Sequence, residues 1–493
     1  MKKYIFITIA TVALFSTVSV SCGDDFINRP VEYSIDSENY FNSKEDYDKA
    51  LVAAYEMLRS SYKNVLDGEI ASDNTIYGGD GSSSEEATRV IDRMTHTSVN
   101  GELKNIWDWM FAGVQRANYI LEFKDKTYFE GKNQIIAEAR FLRAYYHFEL
   151  VKWFGGIPLK GDKRFSPGDD KSIPRSSVLE VYASIEADLI YASENLSATA
   201  SQPGRATSGA ALALLGKAYL YESQYPGNAK WTQAAAAFQS VIDGNKYKLV
   251  DYKTIFEIAG ENGLESVYEI QYSDVSGEGA SFGCLQCSRG NVAVGYNGPR
   301  NYKGPDYESG YSQNVPTQEC VNIFDSGDKR KDVTILDPIA IGATYSPGNE
   351  NTGFFNRKYI PRIGDKNLGD NNLTNPNNYR AIRYADVLLM AAEAYSKLGN
   401  DTKAKEYLNL VRDRAFGDTF HRITATGAAL YDFILAERRL EFVGEGLRFF
   451  DLVRTGQAAS KITGFTAGKN EVFPIPIEEI QFSNGNWQQN PMY

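Results

Sequence analysis

The 493-residue sequence predicts a mainly α fold, a tetratricopeptide-like helical repeat scaffold that carries one large, irregular, loop-rich insertion. Three observations predict it. Apolar residues recur with a helical period through most of the chain. Some of the helical segments form similar pairs joined by short turns. The segment at about 260–375 lacks this period and is rich in Gly, Asn, Pro and Tyr.

The first helix of the scaffold begins with a capping signal. Ser43 can accept a hydrogen bond at the helix N-terminus, and Asp46 lies where a carboxylate can return one to the chain. Its apolar residues share one face: Tyr47, Ala50, Leu51, Ala54 and Leu58. Further helices are predicted at about 103–124, 133–154, 177–197, 206–222, 230–244, 380–398, 402–415 and 427–444. Residues 265–272 alternate like a short strand.

Two segments, 210–242 and 385–411, share a helix–turn–helix pattern. Ala218-Tyr219 in the first matches Ala394-Tyr395 in the second, and Ala144-Tyr145 repeats the motif in a third helix. The small alanine lets two helices approach, while the tyrosine fills the gap between pairs. This is the physics of a tetratricopeptide-like repeat, in which stacked pairs bury a continuous core.

Two segments do not follow the helical pattern. The insertion at about 260–375 carries many tyrosines, and a loop of this length inside a compact protein is usually functional. A second irregular loop is predicted from Gly68 to Ser84, with Tyr77 among many Gly and Ser residues.

The N-terminus predicts export and lipid attachment. Residues 1–21 combine two lysines with an apolar run that is too short and too rich in Ser and Thr for a membrane span. Small residues precede Cys22, as in a bacterial lipobox, so Cys22 is expected to be acylated and to become the mature N-terminus. The alternative is an ordinary secretory signal with a chance cysteine. Several acyl chains on one cysteine would anchor a soluble body stably.

Composition excludes one class of partner. The net charge is −11, and removal of residues 1–21 with their two lysines makes it −13. Nucleic-acid binding needs clustered Lys and Arg, so it is not expected. Beyond the lipid anchor, contact with a membrane is not expected either, since no later apolar run reaches the ~18 residues of a helical span.

Three further cysteines leave the redox state open. Cys284 and Cys287 form a CxxC pair, and Cys320 stands alone. A zinc site would need four ligands, and a second CxxC or a nearby His is missing, so neither a metal site nor a cofactor is predicted. A local disulfide is the first alternative, followed by free thiols. Acidic loop residues such as Asp325 and Asp328 permit calcium without requiring it.

Several strings, in order along the mature chain, resemble the motifs of the SusD/RagB family. They are Arg116-Ala-Asn-Tyr-Ile-Leu, Glu138-Ala-Arg-Phe-Leu-Arg-Ala-Tyr-Tyr, Phe154-Gly-Gly-Ile-Pro-Leu, Ile382-Arg-Tyr-Ala-Asp-Val-Leu-Leu-Met, Val411-Arg-Asp-Arg-Ala, Glu437-Arg-Arg-Leu-Glu, Glu445-Gly-Leu-Arg, Asp451-Leu-Val-Arg-Thr-Gly, Phe473-Pro-Ile-Pro and Gln489-Asn-Pro-Met-Tyr. The resemblance divides the mature chain into an N-terminal helical region, 22–225, and a C-terminal region, 226–493, that includes the insertion.

The resemblance implies a function. Members of this family are surface lipoproteins of the outer membrane of Bacteroidetes. They cover a SusC-like TonB-dependent transporter, capture oligosaccharides or, in some members, peptides, and pass them to the barrel. Their irregular loops carry the ligand face. The acidic stretch Gly23-Asp24-Asp25 after Cys22 resembles the tag of lipoproteins that are exported to the cell exterior.

Catalysis is not predicted. The chain has three His residues, and it lacks the Gly-x-Ser-x-Gly turn of common hydrolases. Glu437, Glu441 and Glu445 could supply the carboxylate pair of a glycosidase. Because Arg residues are interleaved with them, a lattice of ion pairs is the favoured interpretation.

Glycan binding needs aromatic rings for the sugar faces and polar side chains for the hydroxyls. The two irregular segments supply both kinds. The candidate ligand-binding residues are Asp73, Asn74, Tyr77, Tyr296, Asn297, Arg300, Tyr302, Tyr307 and Tyr311. The alternative is that the tyrosines pack the loops onto the helices. Trp107 and Trp109 lie in a helix, so core packing is favoured for at least one of them.

A peptide ligand, a scaffold without a small ligand and a hydrolase remain as alternative hypotheses. The sequence alone does not name the glycan, because the shape of a pocket depends on loop conformation.

Overall fold

The structure is a computed structural model, and it describes residues 39–164, 173–273, 275, 288–365 and 374–493. Cys22, the signal segment and the pair Cys284 and Cys287 lie outside the described residues. Helices dominate the described chain, as predicted, and the few strands are short.

The elements follow in chain order. The N-terminal half contains α1 Lys44–Glu56, α2 Ser61–Ile70, β1 Thr75–Tyr77, α3 Glu86–Asp92, α4 Gly101–Glu122, α5 Lys132–Phe154, α6 Val178–Asn195, α7 Ser208–Glu222 and α8 Trp231–Asp243. The insertion contains β2 Ser266–Ile270, β3 Asn314–Pro316, α9 Gln318–Asn322, α10 Arg330–Thr334, β4 Ile335–Leu336 and β5 Phe355–Asn356. The last part contains β6 Tyr379–Arg383, α11 Tyr384–Lys397, α12 Asp401–Phe416, α13 Gly427–Phe442, α14 Arg448–Arg454, α15 Ala458–Lys461 and α16 Ile477–Phe482.

Helix α1 begins as the sequence predicts. Ser43 adopts an extended conformation and accepts a hydrogen bond from the Asp46 N–H, while the Asp46 carboxylate accepts from the Ser43 N–H. This capping box satisfies two backbone donors that the first turn would otherwise leave without partners.

The scaffold is a stack of helix pairs. Neighbours in the sequence pack against each other from α4 to α8, α8 then packs on α11, and α11 contacts both α12 and α13. The alanines of the repeated motif, Ala144, Ala218 and Ala394, are fully buried at these contacts. The hydroxyls of Tyr395 and Tyr407 both donate to Gln239 of α8, which links the last pair to the one before it. The division of the chain at residue 225 stays a prediction.

Two sequence predictions are corrected. Residues 379–383 form strand β6 instead of the first turn of a helix, because they pair antiparallel with β2. The loop expected from Gly68 begins later, since residues 61–70 form α2. At Gly68 the helix approaches another segment closely, because a Cβ there would lie 2.6 Å from the Gly446 carbonyl oxygen.

Buried arginines and carboxylates join the insertion to the scaffold. Glu441 of α13 binds Arg330 of α10, Arg383 of β6 and Arg414 of α12 at 2.6–3.3 Å. Glu445 binds Lys358 of the insertion and Arg383. Burial alone would raise the pKa of Glu441, but the three guanidinium groups outweigh burial and lower its pKa to about 2.

These contacts confirm the ion-pair interpretation of Glu437, Glu441 and Glu445 and correct its detail. The sequence suggested partners one turn away on the same helix. The partners instead come from other elements: Glu437, for example, binds Arg330 of α10 and Arg412 of α12. Buried charges of this kind are stable only when every group is paired.

A first prediction concerns this network. Arg438 is 1% exposed and binds Asp386 and Asp451. We expect Arg438→Met to reduce the free energy of unfolding by about 3–5 kcal/mol, because each of two buried carboxylates then loses one of its two cations and keeps only Lys217 or Arg454. Urea denaturation measures the loss. Arg422→Met is the matched control, since Arg422 is exposed in its pair with Asp413 and its loss should change the free energy of unfolding far less. Equal losses in the two variants would contradict the prediction.

Candidate functional site

The predicted ligand residues of the first loop are held by neighbouring arginines. The Asp73 carboxylate accepts two hydrogen bonds from Arg448 and lies 3.3 Å from Arg439. These cations lower the pKa of Asp73 despite its burial. Asn74 is fully buried, and its Oδ1 accepts from Arg439 Nε at 2.9 Å. Both side chains therefore fasten the loop to α13 and α14.

Asn297 and Tyr77 are also buried in the loop framework. The Asn297 amide donates to the Tyr62 hydroxyl and to the Tyr359 carbonyl, each at 2.8 Å. Its oxygen accepts from Asn314, which pairs with Tyr77 across strands β1 and β3. Asn297 therefore connects three separate segments of the chain, which contain Tyr62, Asn314 and Tyr359.

Tyr302 and Tyr307 correct the expectation of open stacking faces. They are 7% and 5% exposed, because they pack with Leu336, Phe355 and Ile360 in a small core of the insertion. The Tyr302 hydroxyl donates to the Pro305 carbonyl, and the Tyr307 hydroxyl accepts from Arg357. Both rings therefore serve to pack the loop, as the alternative interpretation of the sequence expected, although they pack within the insertion and not on the helices.

Arg300 and Tyr311 lie side by side at the junction of the two loops, and both are partly exposed. An Arg300 guanidinium N–H donates to the Tyr311 carbonyl at 3.3 Å, and the same guanidinium lies 3.6 Å from the Asp80 carboxylate. These residues remain accessible at the surface, in contrast to Tyr302 and Tyr307.

Tyr296 borders a cavity, although its side chain is only 8% exposed. The cavity has a volume of about 240 Å³ and lies between α1, α2, α4 and the loop that begins at Ser288. Trp109 of α4 is half-buried and lines the same space, together with Tyr62 and Lys63. Two aromatic side chains from different elements, α4 and the insertion, therefore border one opening.

Two further cavities adjoin this one along α1. A cavity of about 340 Å³ shares Glu56 and Arg59 with it and is lined by Tyr55, Tyr272 and Arg205. On the other side, a cavity of about 400 Å³ shares Arg116 and is lined by Tyr40 and Tyr119, whose rings stack with their centroids 6.3 Å apart. We call the three cavities together the α1 cleft.

Hydrogen bonds fix several rings of the α1 cleft. The Tyr55 hydroxyl donates to Glu138 and accepts from the Ala206 N–H, and the Tyr272 hydroxyl donates to the Arg59 carbonyl. The ring faces are thereby held in place before any ligand arrives. A rigid aromatic face binds a ligand with little loss of conformational entropy.

The floor beneath Tyr296 holds a charged cluster. Lys63 lies 3.3 Å from Glu102, and its ammonium lies 5.1 Å from the centre of the Tyr296 ring. Burial disfavours the Lys63 charge, but Glu102 and Asp67 outweigh burial, so its pKa is raised. For Asp67 burial dominates, and its pKa rises to about 7. Both Asp67 carboxylate oxygens are buried without a hydrogen-bond partner in the described structure.

Metal binding has no support from the described residues. Within those ranges, His, Cys, Asp and Glu side chains form no group of three or more that could hold a metal ion. Asp328, considered for calcium, binds Arg330 at 2.7 Å. Cys320 is a buried free thiol whose pKa is raised by burial. His147 is buried in α5, and burial lowers its pKa to about 3, so this imidazole is neutral at physiological pH.

Comparisons with known proteins agree with this architecture. A family model described as "SusD family" matches residues 341–472, and one described as "Starch-binding associating with outer membrane" matches residues 26–220. Among solved structures, a laminarin-binding SusD-like protein is 33% identical with a TM-score of 0.83, and the match covers 92% of this chain and 100% of that one. The chain belongs to the SusD family.

Other relatives support the assignment to the SusD family along the whole chain. SusD-like protein P38 of Formosa agariphila is 27% identical over 100% of both chains. Surface glycan-binding protein A from Bacteroides thetaiotaomicron, solved in complex with laminarihexaose, is 25% identical with a TM-score of 0.81, and the match covers 91% of this chain and 99% of that one. None of the helices among the described residues of this SusD-family chain is long and apolar enough to cross a bilayer.

Most residues that line the α1 cleft of this SusD-family protein could not be predicted from the sequence. Trp109 carried a usable signal, because residues two apart on a helix point about 200° apart. Trp107 is 3% exposed in the core, so Trp109 faces outward. Arg59, Tyr55 and Tyr272 gave no comparable signal, since their meeting depends on how β2 packs on the scaffold.

A second prediction follows from Asp67. Its pKa of about 7 in the folded protein lies above the ordinary value of 3.8, so folding favours its protonated form. Stability therefore falls as pH rises from about 4 to about 7. Asp67→Asn, which keeps the shape and removes the charge, should raise Tm relative to the parent by about 2 °C or more at pH 8 and by less at pH 5. Differential scanning fluorimetry at the two pH values measures this, and a Tm difference independent of pH would contradict it.

Proposed function

We propose that the mature chain is a lipid-anchored outer-membrane protein that faces the cell exterior, binds an oligosaccharide and delivers it to a SusC-like TonB-dependent transporter. The observation that carries the glycan part is the α1 cleft, whose three adjoining cavities are lined by aromatic and arginine side chains. Membership of the SusD family supports the transporter part.

Glycan recognition fits the chemistry of the α1 cleft. Trp109 offers a partly exposed ring surface on which the C–H face of a sugar can stack, while Tyr296 is largely buried and contributes only a ring edge to the cavity wall. Arg59 and Arg116 supply planar sets of N–H donors that suit pairs of oxygen acceptors. Rings and donors in one concave site are the combination that a sugar requires.

The length of the α1 cleft favours a chain over a single sugar. Its three cavities share residues at each junction, so they form a connected series with the Trp109 cavity in the middle. Each cavity has its own aromatic residues, with Tyr40 and Tyr119 at one end and Tyr272 at the other. An oligosaccharide can place successive sugar units in successive cavities.

The relatives favour a glycan over a peptide. A 33% identical neighbour is a laminarin-binding protein, and another was solved with laminarihexaose. The carboxylates considered for hydrolysis, Glu437, Glu441 and Glu445, are buried in ion pairs with arginine and lysine. We therefore propose binding without turnover of the ligand.

A third prediction tests the cleft. The ligand for this test is the glycan that the parent protein retains in an affinity-gel screen. Trp109→Ala removes the half-buried ring of the central cavity, and we expect at least a tenfold loss of affinity for that glycan. One stacked ring contributes on the order of 1–3 kcal/mol in comparable aromatic contacts. Tyr345→Ala is the control, because Tyr345 is partly buried in the insertion outside the cleft. Isothermal titration calorimetry gives the affinities, and Tm confirms folding.

Two results would contradict this placement of the site. One is unchanged glycan affinity in folded Trp109→Ala protein. The other is an equal loss in Tyr345→Ala. If the parent protein retains no glycan but captures peptides from a protein digest, the ligand is a peptide and the oligosaccharide proposal is wrong.

A fourth prediction tests the anchor. Cys22→Ala removes the thiol on which acylation depends, so we expect the full-length protein to leave the outer-membrane fraction and lose labelling by radioactive palmitate. Cys320→Ala is the control, because this thiol is buried in the folded body. Membrane retention of Cys22→Ala at the parent level would contradict lipid anchoring at this residue.

A further inference from the structure

Basic residues line the two cavities of the α1 cleft that meet at Arg59. Glu56 is the acidic residue that borders both cavities. The basic residues are Arg59, Lys63, Arg116, Arg205 and Arg289. The chain as a whole carries a net charge of −11. The described lining of these two cavities therefore carries more basic than acidic side chains, in a chain whose net charge is negative.

Most of these cations are balanced by nearby carboxylates. Lys63 lies 3.3 Å from Glu102, and Arg205 lies 3.1 Å from Glu138. Arg116 and Arg289 share Glu56, at 3.4 and 3.7 Å. Each of these four cations therefore has a carboxylate within ion-pair distance.

Arg59 differs from the other four. Among the described residues, no carboxylate lies within the 4.0 Å of an ion pair with its guanidinium, and the side chain is partly buried between the two cavities. Its backbone is fixed, because the Arg59 carbonyl accepts a hydrogen bond from the Tyr272 hydroxyl at 2.7 Å. A partly desolvated cation without a counter-charge gains free energy when an anion binds.

We propose that the ligand is an acidic glycan and that Arg59 binds its anionic group, a uronate carboxylate or a sulfate ester. The inference rests on the proposed function and adds the substrate class. A guanidinium presents two parallel N–H donors that match the oxygens of either group. Trp109 on one side and Tyr272 on the other, both partly exposed, provide rings for the sugar units that flank the anion.

Matched pairs of polysaccharides test the proposal with the full mature protein. In the uronate arm, polygalacturonate and alginate are compared with the same polymers after chemical reduction of the carboxyl groups. In the sulfate arm, carrageenan and fucoidan are compared with their desulfated forms. Laminarin serves as a neutral glucan. We expect an acidic polymer to bind, and its neutral form to bind at least about tenfold more weakly, since a hydrogen bond to a charged group contributes roughly 1.5–3 kcal/mol.

Arg59→Gln should remove this preference and reduce affinity for the acidic polymer by a similar factor. It keeps hydrogen-bonding capacity without the charge. Binding by the parent should weaken as salt is raised from 50 to 500 mM, while residual binding by the variant should not. Arg422→Gln is the matched control, because Arg422 is exposed and lies outside the cleft.

The outcomes separate the two proposals. A parent that binds neutral polymers as tightly as acidic ones, or an Arg59→Gln variant that keeps the acidic preference, overturns the acidic-glycan inference and leaves glycan binding standing. A parent that binds none of the polymers, laminarin included, contradicts both.

Discussion

The buried ion pairs around Glu441 and Glu445 are the constraint on which the rest of the structure depends. They bind β6, α10 and α12 to α13 and, through Lys358, they hold the insertion against the scaffold. Tyr359 follows Lys358 directly, and its carbonyl accepts a hydrogen bond from Asn297, next to Tyr296. A chain of polar contacts therefore runs from the core to one wall of the cleft. Buried charges tolerate few arrangements, so this network defines one docking of the insertion.

The α1 cleft combines rigid parts from both halves of the protein. Trp109, Arg59 and Tyr55 belong to the helical N-terminal part, whereas Tyr272 and Tyr296 belong to the insertion. Hydroxyl hydrogen bonds hold Tyr55 and Tyr272 in place. The helical scaffold forms one wall of the cleft, and the insertion forms the opposing wall.

Much of the fold could be predicted from the sequence, because helices and caps are local. The capping box at Ser43 and the paired helices α7–α8 and α11–α12 follow from spacing alone. Strand β6 was misassigned to a helix, since its pairing with distant β2 decides its conformation. Of the nine predicted ligand residues, Tyr296 lines the cleft, while Tyr302 and Tyr307 are buried in a core that periodicity cannot reveal.

The sequence by itself determined the helical repeat, the family and the expectation of an exported, lipid-anchored binding protein. These properties depend on short-range patterns: apolar periodicity, the residues around Cys22 and ordered motifs. Only the tertiary structure decided which side chains share the cleft and which of its arginines has no carboxylate within ion-pair distance among the described residues. Arg59 and Arg205 are 146 residues apart in the chain and line one cavity. Their proximity arises from the packing of β2 and the loop before α7 against α1, and such long-range packing leaves no local signal in a sequence.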